Sequence, residues 1–310
     1  MFSLDVILDA LIFSNMISLM AIGLTLTYQT LKVPNFAHGD LVTLGAYAVL
    51  FLYKTFNVNP YLALPLAFLI PAFFSLLTYL LIYKPLSDRG ASIVVLMIAS
   101  IAVEIILRNM LHIFADVMRN LQKTYYRSLI LREKNILLGG FSIPPVAISS
   151  TLTTIFVASI IYLFLTKTKL GVAMRASIEN PGLASVLGID VNKVYSISWF
   201  IAGGLAGLAG LFLPYRMPAD PEIGWGLLLK VFSASILGGL DNIFGAIAGG
   251  YIIGNVEYLG INLLSRPPIN LSTSYRPALP LIAMILALLF VPKGITSINM
   301  RKIKKWLRRQ

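Results

Sequence analysis

Residues Leu227–Gly260 read LLLKVFSASILGGLDNIFGAIAGGYIIGNVEYLG. The run is too long for one upright helix across a bilayer core of about 30 Å, and Gly238-Gly239-Leu240-Asp241-Asn242 breaks it in the middle. Taken as two membrane segments hinged at that break, it sets the parity of everything around it. Outward from it, apolar runs of roughly 20 residues predict spans at Val6–Tyr28, Tyr61–Ile82, Ala91–Phe114, Pro144–Leu165, Val194–Leu213 and Pro277–Val291. Asp40–Tyr53 is apolar but too short to cross upright, which predicts a second short or discontinuous helix. The expected fold is all-α and polytopic, about eight to nine membrane segments in one transmembrane domain over 1–310, with approximate halves 1–143 and 144–310.

Composition agrees. Apolar residues make up 57% and charged residues only 12%, where a soluble chain carries about 25% charged, and mean hydropathy is +0.82. Soluble domains, disorder, coiled coil and secreted scaffolds are excluded together. With Cys at 0 there is no disulfide framework, thiolate nucleophile or Cys-ligated metal. The +12 charge lies in short Lys/Arg clusters between apolar runs and at the C-terminus, which points to membrane lipid and away from nucleic acid. Asp5 and Asp9 stand where a signal peptide's basic region would be, so the first span is expected to be retained.

Positive charge near span ends sets orientation. Lys84 and Arg89 occupy one short loop; Lys167, Lys169, Arg175 and Lys193 flank a loop over 167–193; and the tail over 293–310 carries Arg301, Lys302, Lys304, Lys305, Arg308 and Arg309. All three are expected to be cytoplasmic, which requires the 227–260 run to supply two crossings and leaves the N-terminus outside. Ala115–Phe141 is then external although it holds Arg119, Lys123, Arg127, Arg132 and Lys134.

An offset of 200 residues lays Asn35–Asp40 and Gly45-Ala46 over Ser235–Leu240 and Gly245-Ala246. Paired, interrupted segments in two halves point to a transport site, because broken helices bring free N–H and C=O groups to membrane depth. The candidate pathway is therefore Asn35, Phe36, His38, Gly39 and Asp40 with Gly238, Gly239, Asp241 and Asn242. For His38 and Asp40, capping of the helix start competes with solute contact. Glu104 lies inside a span, where a carboxylate suggests function, but Arg108 at i+4 can neutralise it. Glu257 and Lys230 have no partner nearby in sequence. Gly203/Gly207, Gly245/Gly249 and Gly250/Gly254 have the spacing that lets helices approach closely.

No enzyme signature is present: His38 and His112 are the only histidines, and the chain has no His-Glu-x-x-His, Gly-x-Ser-x-Gly or phosphate-binding Gly-x4-Gly-Lys-Ser/Thr. No catalytic residue, metal site or cofactor is expected, so ATP-driven work would need another chain. Gly171–Asp190 is polar but helix-compatible on both sides of Asn180-Pro181, with Pro181 suited to a first turn and Gly188 to a helix end.

Three motifs in register, Asn35-Phe36-Ala37-His38-Gly39 with Gly45-Ala46-Tyr47, Arg175-Ala176…Asn180-Pro181…Ala184…Gly188-Ile189, and Ile236-Leu237-Gly238-Gly239-Leu240…Gly245-Ala246…Gly249-Gly250, run in order through nearly the whole chain. They resemble the permease subunits of branched-chain amino-acid ABC importers, closest to the LivH type of the LivH/LivM group. The resemblance implies a LivM-like permease partner, two cytoplasmic ABC ATPase subunits and an extracytoplasmic solute-binding protein delivering leucine, isoleucine or valine, in a prokaryotic plasma (inner) membrane. It also implies that Arg175, Ala176, Glu179, Asn180, Pro181, Ala184, Gly188 and Ile189 form the loop that grips the ATPase. Asp241-Asn242 depart from the small pair common at that place. Related permeases carry urea, short amides or ribose-type sugars, which stand as alternative solutes. An ion-coupled secondary transporter, an intramembrane enzyme and a purely structural subunit are the rival classes.

Overall fold

The computed structural model describes residues 2–123 and 125–297. The basic stretch from Arg301 to Arg309 lies outside the described residues. Six helical stretches are long and apolar enough to cross a membrane: Leu4–Leu31, Pro60–Asp88, Ile93–Gln122, Pro145–Lys167, Val191–Tyr215 and Ala278–Ser297. They fall where the apolar runs predict them.

Helix α1 (Leu4–Leu31) has 28 residues, about 42 Å of axis, and ends on Lys32 in the left-handed region at φ 56°. It is buried almost without interruption from Ala10 to Thr30, so it is a core helix and carries no polar stripe. Residues 32–37 then fold back into the protein, and α2 (His38–Phe56) starts beside the middle of α1. A short 3-10 turn at Pro60–Ala63 leads to α3 (Leu64–Thr78), which continues through a π turn at Tyr79–Tyr83 into α4 (Lys84–Asp88). Helix α5 (Ile93–Gln122), 30 residues without Pro or Gly, runs past its expected end at Phe114. The segment expected to be external from Ala115 therefore begins as helix. Beyond it, strands β1 (Ile136–Leu138) and β2 (Phe141–Ile143) form an antiparallel hairpin, with Gly139 and Gly140 both at positive φ as a tight two-residue turn requires.

Helix α6 (Pro145–Lys167) leads into α7 (Lys169–Glu179) and α8 (Pro181–Val186), then α9 (Val191–Phe212). The stretch that opened the sequence reading is two helices, α10 (Trp225–Gly238) and α11 (Ile243–Asn255). The second continues through a π turn at Val256–Gly260 into α12 (Ile261–Leu264). Helix α13 (Ala278–Phe290) completes the bundle.

Core helices α1 and α9 cross each other at the centre, and each is clasped by a helix from the far end of the chain: α3 packs along α9, and α11 packs along α1. Small residues allow both contacts. Gly203 and Gly207 of α9 lie against the backbone of Pro71 and Ala67, while Gly250 and Gly254 of α11 lie against Ser18 and Ser14. This is the close approach that replaces the hydrophobic drive between helices in lipid.

The 200-residue offset is corrected by this arrangement. Asn35–Asp40 leads into the start of α2, whereas Ser235–Leu240 closes α10. Gly45 packs on Gly207 of α9, whereas Gly245 packs on Gly238 of α10. Similar glycine spacing arises in both places from close packing, without equivalence of position.

Candidate functional site

The fold-back before α2 buries polar backbone inside the bundle, where each group needs a partner. Ser100 of α5 supplies one: its Oγ accepts from Phe36 N at 3.4 Å, while its hydroxyl donates to Met97 O at 2.9 Å in its own helix and lies 3.4 Å from Pro34 O. The Asn35 Oδ1 accepts from the Tyr83 hydroxyl at 3.3 Å. The fully buried His38 donates from Nε2 to the Met20 carbonyl at 2.9 Å, pinning the start of α2 to mid-α1. Its ring also fills the space beside Gly23. No side chain caps α2, so His38 serves as a pin and not as a cap.

Asp40 lies in the first turn of α2 and is fully buried. Arg108 of α5 reaches it, with Nε 3.6 Å from Oδ1, and the same guanidinium pairs with Glu104 one helical turn away. One cation thus stands between two buried carboxylates. Arg108 also stacks 4.5 Å from the ring centre of Trp225, the first residue of α10. Beside it, His112 Nε2 lies 3.7 Å from Glu222. The starts of α2 and α10 meet here through Gly39 and Gly224, whose backbones are too close to admit a side chain on either. Gly224 N donates to Thr43 Oγ1 at 3.1 Å. The self-pairing of Glu104 and Arg108 was readable at i+4, but the parts played by Asp40, His112, Glu222 and Trp225 come from long-range packing and carry no local signal.

Gly238, Gly239, Asp241 and Asn242 stand elsewhere. They form the turn between α10 and α11 at the end of α1, where Gln29 donates to Leu240 O at 3.4 Å and Lys32 pairs with Asp241 at 2.7 Å. Met20 and Gln29 are roughly 13 Å apart along α1 at 1.5 Å per residue. The two halves of the candidate pathway are therefore not brought together, and the start of α2 meets residues 222–225 instead. Gly239 takes φ +103°, and Asn242 caps α11 by accepting from Phe244 N and Gly245 N, each at 3.0 Å.

At that same end lies the polar segment 167–193. Thr168 caps α7 and Asn180 caps α8, with Pro181 in its first turn; Gly188 at φ +82° ends the pair. Asp190 caps α9 by accepting from Lys193 N at 3.1 Å, a bond that holds its carboxyl below the usual 3.8. Ala176, Glu179, Asn180 and Ala184 line a groove of about 310 Å³ between α7 and α8. A neighbouring groove of about 260 Å³ brings Arg175 and Glu179 beside Asp241 and Asn242. Leu183, Val186 and Leu187 are 56%, 83% and 71% exposed.

Toward the opposite end, Glu257 is fully buried on its π turn and accepts from Lys230 at 2.7 Å and from Arg276 Nε at 2.9 Å. The two residues without a near partner in sequence thus find each other across 27 positions. Arg276 also lies 3.6 Å above the Tyr258 ring. Among the described residues no cluster of three or more metal-ligating side chains occurs.

A multi-pass helical bundle with an inward-folded helix start and an exposed polar helix pair is the architecture of a membrane permease. Residues 6–288 match the family described as branched-chain amino acid transport system / permease component, and the chain belongs to it. It is 41% identical over 298 residues to the probable branched-chain amino acid transport permease protein LivH of Methanocaldococcus jannaschii, covering 96% of this chain and 94% of that one. It is 28% identical to the high-affinity branched-chain amino acid transport system permease protein BraD of Pseudomonas aeruginosa, over 90% of each. The ribose import permease protein RbsC of Escherichia coli is 30% identical over 148 residues, 44% of each chain. No solved structure matches.

Proposed function

We propose that the chain forms the solute pathway of an ATP-driven importer for leucine, isoleucine and valine. It pairs with a LivM-like permease, two cytoplasmic ABC ATPases and an extracytoplasmic solute-binding protein in a prokaryotic plasma membrane. The observation that carries the reading is the α7–α8 pair. Its apolar residues Leu183, Val186 and Leu187 face outward on a polar, basic end of the molecule, where a soluble partner, and not lipid, must cover them. The ATPases would dock there, through Arg175, Ala176, Glu179, Asn180, Pro181, Ala184, Gly188 and Ile189.

Lys32, Lys84, Arg89, Lys167, Lys169, Arg175 and Lys193 lie on segments that pack together at the same end, which supports a cytoplasmic assignment for it and for the C-terminus. Two inverted halves, approximately 1–143 and 144–310, are supported by matched packing: α3 lies on α9 as α11 lies on α1, and α2 meets α5 as α10 meets α13. Both α3 and α11 also run into a π turn. Counting α2, α10 and the α11–α12 stretch with the six long helices is consistent with about nine membrane segments. The pathway runs beside the start of α2, past Asn35, Phe36, Gly39 and Asp40, toward the turn at Gly238–Asn242. His38 contributes by holding that start in place. ATPase closure moves α7 and α8 as a lever against the Asp241-Asn242 turn, which shares a groove with Arg175 and Glu179.

The test is leucine uptake into vesicles holding the assembled importer, with Ala184→Trp beside the native chain. Uptake that needs ATP and is lost in the variant, with the chain still inserted, supports the reading. Uptake by the chain alone in an ion gradient would replace it with a secondary transporter.

A further inference from the structure

Arg108 is the sixteenth residue of a 30-residue helix and precedes the end of the apolar run at Phe114, so its cluster lies within the span. Around it, side chains that lipid would reject face outward: Glu222 is 61% exposed, His112 28% and Arg108 19% along their side chains. A half-exposed carboxylate at membrane depth faces water or a polar partner and not acyl chains. Ile101, Ile105, Arg108 and His112 recur at helical spacing on one flank of α5, and Trp225 and Leu229 do so on α10. The two flanks frame a strip with a charged centre and apolar borders.

Charges in the strip do not cancel. Arg108 is divided between Asp40 and Glu104, both buried, and both Asp40 oxygens lack a hydrogen-bond donor among the described residues. Among the described residues, Glu222 has only His112 as an ion-pair partner, at 3.7 Å. One face of Trp225 is taken by the Arg108 guanidinium, yet the residue remains 42% exposed. The starts of α2 and α10 satisfy their N–H groups locally, Asp40 and Leu41 on Ala37 O, Gly226 on Glu222 O and Gly224 on Thr43 Oγ1, so the charged side chains and not the helix ends define the strip.

Resting on the permease reading above, we propose that Arg108, His112, Glu222 and Trp225 form the station that recognises the amino acid in transit, a zwitterion with a compact aliphatic side chain. The carboxylate meets Arg108, the ammonium meets Glu222, and the side chain lies on Trp225 and Leu229. Asp40 and Glu104 act through Arg108, holding its guanidinium in place. An amine or acid lacking one of the two charges leaves a charged group of the station unpaired and is passed poorly.

Because the chain has no Cys, Leu229→Cys gives a single labelling site in this chain within the intact assembly. The expected result is reaction with a membrane-impermeant thiol reagent, slowed about threefold or more by leucine-loaded binding protein with ATP. Leucine uptake should fall about tenfold or more in Glu222→Gln, the scale for losing one side of a charged pair, and recover in Glu222→Asp. No labelling at Leu229→Cys, or uptake in Glu222→Gln and Trp225→Ala equal to that of the native chain, would overturn the station while leaving the permease in place. A native assembly that takes up no leucine would overturn the permease reading itself.

Discussion

His38 is the residue whose meaning changes most between sequence and structure. A polar residue at a helix start suggests a cap or a solute ligand, yet its ring is sealed between Gly23 and the Met20 carbonyl. His38→Ala should lower stability by about 1–3 kcal/mol, the cost of a lost buried hydrogen bond, read as a lower unfolding midpoint in detergent. Glu257→Gln should cost about 3 kcal/mol or more, because Lys230 and Arg276 both lose their counter-charge. A midpoint equal to that of the native protein would show that water reaches the site. Asp190 has a pH signature. Its carboxyl is held below 3.8 by the Lys193 N–H, so its cap is present above the unfolded value and is lost as pH falls through the lower folded one. Asp190→Ala should therefore be less stable than the native chain at neutral pH, with the gap closing as acid protonates the aspartate.

Among the helices, glycine sets how closely elements approach. A methyl on Gly207 would meet the Ala67 carbonyl, so Gly207→Ala should part α3 from α9 and cost about 1–3 kcal/mol, measurable as a lower unfolding midpoint. Gly188 has open space around its Cα but sits at φ +82°, so Gly188→Val strains the turn after α8 without a clash. The chain should insert normally while ATPase co-purification and uptake fall; unchanged uptake would remove the coupling role of the turn. Most of this level was legible in the sequence. Span length, the break at Gly238–Asn242, and the Asn180-Pro181 and Gly188 signals are local, and local signals survive in one sequence. The inward fold before α2 was visible only as a helix too short to cross, because what stabilises it is Ser100 and Tyr83 of distant segments.

For the whole molecule, the sequence established a membrane bundle and its family resemblance, but its own repeat register paired the wrong segments. Glycine spacing recurs wherever helices touch, so it marked contacts and not equivalent positions. The charged centre was only partly legible for the same reason: Glu104 and Arg108 are neighbours on one helix, while Asp40 and Trp225 reach Arg108, and Glu222 reaches His112, from two other segments. The central claim is that this chain passes branched-chain amino acids when driven by partner ATPases through α7 and α8. The most direct measurement is leucine accumulation in proteoliposomes holding the purified assembly, with ATP inside and loaded binding protein outside. Accumulation that requires ATP, and that stops when Ala184→Trp replaces the native chain, is the expected result. Accumulation that continues without ATP, or is indifferent to that substitution, would contradict it.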